Sequence, residues 1–160
     1  MIRCATKSEH ETRDLGAALA PLAAEGDVVL LTGDLGAGKT RFTQGFARGL
    51  DISDTVTSPT FTLVRVYEGR LKLQHADLYR MEGAEEVADL VLGELADPSS
   101  VSLIEWGDAA LGLLGNDVLD VRLELGPGDD DRIVTLAPAG PSWSKRRDDL
   151  EKSVAPWRVG

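Results

Sequence analysis

In Val28-Val29-Leu30-Leu31-Thr32-Gly33-Asp34-Leu35-Gly36-Ala37-Gly38-Lys39-Thr40, a short apolar run empties directly into a glycine-rich turn. Val28 to Leu31 is continuous rather than alternating, which suits a strand buried on both faces of a parallel sheet. Gly33-x-x-x-x-Gly38-Lys39-Thr40 then has the spacing of a phosphate-binding P-loop. Several backbone N–H groups must turn inward on a triphosphate, and glycines allow the bends and the close approach that side chains would block. Lys39 is placed to reach the outer phosphates and Thr40 to offer its hydroxyl to Mg²⁺. The helix that starts there directs its positive end at the anion.

Upstream, Ser8-Glu9-His10-Glu11 has the form of a capping box, and Leu15, Ala18, Leu19, Leu22 and Ala23 recur at helical spacing. The pattern predicts a helix over about residues 8–24, with Pro21 ending or kinking its last turn. Downstream, Phe42, Phe46, Ala47 and Leu50 share one face of the phosphate-binding helix. Arg41 sits inside the nucleotide-binding stretch beside Thr40, where it faces nucleotide, a partner or solvent.

Asp54 to Phe61, with Ser58-Pro59-Thr60-Phe61 inside it, is a hydroxyl-rich loop that either senses a γ-phosphate or makes an ordinary Ser-Pro turn. Thr62–Tyr67 and Arg70–His75 read as a hairpin around Glu68-Gly69. Asp77, just past it, is the acid expected to serve Mg²⁺, or else the cap of the next helix. Glu85–Leu95 has a helical pattern with Val87, Leu90, Val91 and Leu95 inward. Val101–Ile104 is a second strand for the parallel core, and Glu105 and Trp106 stand at its carboxyl end, where open α/β sheets bind ligands. Val118–Leu125 alternates strictly and Arg132–Ala137 returns it, an antiparallel hairpin expected at the sheet's edge.

With 160 residues the chain is about one domain, here divided into a P-loop domain over 1–137 and a tail over 138–160. The tail is expected to be either a short helix docked by Trp143 and Leu150 or a mobile segment with a basic cluster at Lys145, Arg146 and Arg147. A single cysteine, Cys4, excludes an intramolecular disulfide framework. No apolar run approaches membrane-spanning length and the start does not resemble a signal peptide, so the expectation is a cytoplasmic protein with no membrane partner. A net charge of −10 argues against a broad phosphate-coating surface for RNA or DNA, so any nucleic-acid role is expected to run through a partner.

Together these motifs resemble the bacterial TsaE family, the small ATPases of threonylcarbamoyladenosine synthesis on tRNA. The matching elements are Gly33 to Thr40, Ser58-Pro59-Thr60-Phe61-Thr62-Leu63-Val64, His75-Ala76-Asp77-Leu78-Tyr79-Arg80 and Ile104-Glu105-Trp106, covering about residues 6–136. The resemblance implies an α/β P-loop NTPase fold with a parallel core flanked by antiparallel strands. It also implies ATP and Mg²⁺ as cofactors, ATP hydrolysis, and TsaB and TsaD as partners. Carried over by motif, Lys39 holds phosphates, Thr40 with Asp77 or Glu105 serves the metal, Thr60 lies in a switch-like loop, and Thr6 and Arg132 edge the adenine and phosphate site. The catalytic set is then Lys39, Thr60, Asp77 and Glu105. The sequence departs from the family pattern at Arg41, where threonine is common, and at Gly107-Asp108, where many relatives have Pro-Glu. Two alternatives remain: a P-loop small-molecule kinase, against which stands the absence of an Arg-rich lid, and a GTP-binding switch, against which stands the absence of an Asn-Lys-x-Asp pattern.

Overall fold

The computed structural model describes residues 1–59, 64–79, 81, 83–95, 97–106 and 111–160, apart from the side chain of Leu111. Among these residues seven strands form one sheet: β1 (Ile2–Thr6), β2 (Val28–Thr32), β3 (Val64–Tyr67), β4 (Lys72–Asp77), β5 (Ser100–Glu105), β6 (Val118–Leu125) and β7 (Arg132–Ala139). Their order is β1-β7-β6-β2-β5-β4-β3. β6, β2, β5 and β4 run parallel, while β3 on one side and β7 and β1 on the other are antiparallel. The expected parallel core with antiparallel flanks is therefore the architecture found.

Helices cover both faces because the central strands are apolar on both. On one face, α1 (Glu9–Leu19), α2 (Lys39–Gly49) and the C-terminal segment enclose Val29, Leu31, Leu73 and Leu103. On the other, α3 (Ala84–Gly93) and α4 (Leu111–Leu114) cover Leu30, Ala76 and Ile104. Val87, Leu90, Val91 and Leu95 are buried as the helical pattern predicts. α1 and α2 cross closely at Gly45, where any side chain would overlap the Arg13 backbone. None of the helices in the described residues is long and apolar enough to cross a membrane.

The N-terminal helix is shorter than its periodicity suggests. Ser8 caps it by accepting the Glu11 N–H, but at Pro21 the chain tightens into a 3-10 turn over Ala20–Leu22. The β6–β7 hairpin is not at the edge, contrary to expectation: β6 pairs with β2 in the middle of the sheet, and β1 extends the sheet beyond β7. The residues before Ser8 supply that outer strand, with Ile2, Cys4 and Thr6 facing inward.

The tail is part of the same body. β7 runs on to Ala139, and two short helices, α5 (Pro141–Ser144) and α6 (Arg147–Ser153), bury Trp143, Leu150 and Val154 in the main core. Its basic cluster is broken up by this docking. Arg146 turns inward to Asp27, donating from Nη2 to Oδ1 at 2.8 Å, while Nη1 reaches the Leu22 carbonyl and Nε that of Ser142. Its guanidinium also stacks on Trp143, 4.2 Å from the ring centroid.

Candidate nucleotide site

The P-loop joins the carboxyl end of β2 to the start of α2, as the apolar run and the glycine spacing require. Gly38, the residue before the helix, has φ 101°, a left-handed conformation that favours glycine. The turn borders a cleft of about 400 Å³ whose walls include Gly36, Gly38, Lys39, Thr40, Asp77 and Glu105. Asp77 and Glu105 come from the carboxyl ends of β4 and β5, paired directly across the sheet, and Glu105 is also in register with Leu31 of β2. Lys39 and the two acids, distant in sequence, therefore meet because parallel strands end together.

Lys39 is almost fully buried, and its ammonium donates to the carbonyls of Gly33 at 2.7 Å and Asp34 at 3.0 Å. It lies 4.4 Å from the centroid of the Trp106 ring. Burial pulls the Lys39 ammonium below the usual lysine range, opposed by the charges of Glu105, Asp77 and Asp34. Burial likewise raises the Asp77 carboxyl; the Tyr79 N–H bonded to it acts the other way, and the neighbouring Glu105 charge adds to the rise. The cleft thus sets one desolvated cation against two carboxylates.

Among the described residues, Asp77 caps no helix. Its Oδ1 accepts the Tyr79 N–H at 3.0 Å, and the next helix begins only at Ala84. Trp106 has φ 59°, an uncommon conformation for a bulky residue, held by its N–H to the Leu31 carbonyl and by Tyr79, whose ring centroid is 4.9 Å from its own. Arg132 reaches back from β7 to brace the P-loop, donating from Nε to the Ala37 carbonyl and from Nη2 to the Gly36 carbonyl, each at 3.0 Å. It also lines the cleft.

Arg41 stands at the cleft wall with its Nε 3.4 Å from Glu9 of α1. Leu35 lines the same cleft and is largely exposed at the tip of the loop. Thr6 does not line the cleft: its side chain is buried, with its hydroxyl 2.8 Å from that of Thr12, which does line it. A position in the inward row of β1 places Thr6 behind the site. Ser58 borders the cleft, whereas Thr60, like Gly107 and Asp108, lies outside the described residues.

One participant went unassigned in the sequence. His75 is fully buried, and its Nε2 lies 2.8 Å from Glu105 Oε2. It occupies β4 two positions before Asp77, so it meets Glu105 diagonally across the strand pair. Its position in the His75-Ala76-Asp77 run was the available signal, but strand adjacency is what gives it a partner.

A glycine-rich turn between a central parallel strand and a helix, faced by carboxylates from the two adjacent strand ends, defines a P-loop NTPase fold. The family model described as "Threonylcarbamoyl adenosine biosynthesis protein TsaE" matches residues 6–133, and the chain belongs to that family. It is 40% identical over 136 residues to the tRNA threonylcarbamoyladenosine biosynthesis protein TsaE of Treponema pallidum, covering 85% of this chain and 100% of that protein. The protein of the same description from Bacillus subtilis is 40% identical over 148 residues, 92% of each chain. The crystal structure of Bacillus subtilis YdiB superposes with a TM-score of 0.77 at 34% identity, covering 95% of this chain and 97% of that one.

Proposed function

We propose that the chain binds ATP with Mg²⁺ in this cleft and hydrolyses it, as the cytoplasmic ATPase subunit that acts with TsaB and TsaD in threonylcarbamoyladenosine modification of tRNA beside the anticodon. The observation that carries the reading is Lys39, a buried ammonium resting on P-loop carbonyls opposite Asp77 and Glu105. A phosphate entering the cleft offers this cation a stronger, charge-assisted partner than a neutral carbonyl.

The residues fit the metal as well. Mg²⁺ takes one or two carboxylates, substrate phosphates and water rather than an all-protein cage. Thr40 with Asp77 or Glu105 is such a donor set, and the ion would neutralise charge on the outer phosphates. Among these groups, Lys39 and the P-loop N–H groups orient the phosphates, while Glu105 holds and accepts a proton from the attacking water. Thr60 is assigned to a switch-like loop by motif alone.

The two arginines of the cleft in the described residues are already engaged, Arg132 with P-loop carbonyls and Arg41 with Glu9. With neither aimed at a reacting phosphate, we infer slow hydrolysis by the isolated chain and acceleration by TsaB and TsaD, because an arginine finger contributes about a thousandfold or more in P-loop enzymes. Binding of tRNA is indirect in this reading, since the chain carries a net charge of −10 and Arg146 is withdrawn from the basic cluster. Initial rates of ADP formation, measured alone and with purified TsaB and TsaD, test both parts. Slow turnover that rises with the partners supports the proposal; no ADP under either condition, or fast partner-independent turnover, contradicts it.

A further inference from the structure

We propose that His75 is the positioning residue for Glu105: its Nε2–H holds Oε2 and thereby aims the rest of the carboxylate at the cleft. The inference rests on the reading of Glu105 as the group that orients the attacking water. Its grounds are geometric. His75 has no exposed surface, Nε2 lies 2.8 Å from Oε2, and the Glu105 side chain, 4% exposed, borders the cleft.

The other imidazole nitrogen identifies the tautomer. Among the described residues, Nδ1 is buried with no hydrogen-bond partner. A proton on Nδ1 alone would turn a bare Nε2 lone pair against a carboxylate oxygen, whereas a proton on Nε2 is donated to that oxygen and leaves only the Nδ1 lone pair unpaired. The ring is therefore a fixed donor, held within the sheet by β4, which pairs with β3 on one side and β5 on the other. A glutamate side chain has three rotatable bonds, and one oxygen pinned at the strand end removes most of that freedom. The imidazole does not reach the cleft wall, so its effect passes through Glu105. A histidine serving only the core would be cheaper as an apolar residue, since its unpaired Nδ1 is buried at a cost and its paired nitrogen goes to a residue of the site.

The test compares His75→Leu, His75→Gln and His75→Asn, with Glu105→Gln and the double variant His75→Leu/Glu105→Gln. Each full chain is measured for its melting temperature, its ATP dissociation constant with Mg²⁺, and its single-turnover hydrolysis rate per folded molecule. His75→Leu should slow hydrolysis by about 10- to 100-fold, the range for removing the hydrogen-bond partner of a functional ligand. ATP affinity should change by less than about threefold, an effect below 1 kcal/mol. In the Glu105→Gln background the same substitution should have almost no further effect on rate. His75→Gln extends an amide N–H toward the place of Nε2 and should recover most of the rate, while the shorter His75→Asn should not. If His75→Leu hydrolyses normally, or if Gln and Asn at this position are equally active, the positioning role is wrong although Glu105→Gln may still be slow. If Glu105→Gln itself turns over normally, the underlying reading of the site fails instead. Should the Leu variant not fold, the Gln and Asn pair decides between these outcomes.

Discussion

Two buried carboxylates, each held by a side-chain donor, occupy opposite ends of the sheet, and the pairs they form are satisfied to different degrees. Asp27, just before β2, faces Arg146, whose guanidinium reaches carboxylate, two carbonyls and an aromatic face; Asp27 also accepts the Ala24 N–H. Glu105, at the far end of β5, has His75 behind it and a cleft in front, and one nitrogen of that histidine has no partner among the described residues. Full satisfaction stabilises a latch; a carboxylate with one oxygen held from behind and its side chain bordering a cavity keeps acceptor capacity for a ligand. The first region should therefore respond to mutation in stability, and the second in chemistry.

The largest expected effect is on hydrolysis. Glu105→Gln retains volume but loses charge and basicity, and should slow single-turnover hydrolysis by about 10²–10⁴-fold, the range for losing a general base. ATP binding should persist. A matching loss of melting temperature with normal activity per folded molecule would instead turn Glu105 into a strand-end anchor and move the assignment to Asp77.

The latch gives the converse result. Arg146→Met strands the buried Asp27 carboxylate and should lower the free energy of unfolding by about 2–4 kcal/mol, because breaking one side of a buried pair leaves an uncompensated charge. Adding Asp27→Asn should recover part of the loss, and hydrolysis per folded molecule should stay within about twofold. Urea denaturation of the single and double variants measures the coupling; a large catalytic defect would dissolve the contrast between the two ends.

A smaller effect is expected at the start of α5, where both carboxylate oxygens of Asp117 accept from Ser142. The Ser142 hydroxyl, foremost, holds the Asp117 carboxyl below the usual range. Its folded-state value being depressed, the contribution is complete above the ordinary aspartate value of about 3.9 and disappears as pH falls through the lower, folded-state value. Asp117→Asn should cost under about 1 kcal/mol at neutral pH for this partly solvated group and flatten the acid limb of the stability profile. Unfolding midpoints between neutral and acidic pH check both points.

The central strand, its P-loop and α2 were legible because local chemistry determines them: an apolar run, glycines at phosphate spacing, and Phe42 and Phe46 on one helical face. The placement of β6 was not. Its alternation describes a strand with differing faces, but nothing in residues 118–125 states that β2 will pair with it or that β1 will lie beyond β7. Strand order is a tertiary choice between segments far apart in the chain. The same limit hid the pairing of His75 with Glu105, since their proximity depends on parallel register. In the tail, the buried Trp143 and Leu150 could be anticipated from their apolar bulk, whereas the inward turn of Arg146 could not, because Lys145, Arg146 and Arg147 look alike in sequence.

The central claim is that Lys39 makes this cleft a phosphate site, and equilibrium titration with MgATP tests it most directly. Wild-type protein should bind with one site, and Lys39→Ala should weaken binding by about 100-fold or more at unchanged melting temperature, the loss of a buried charge contact worth on the order of 3 kcal/mol. Equal affinity in a folded Lys39→Ala protein, or no MgATP binding by the wild type, would contradict the account.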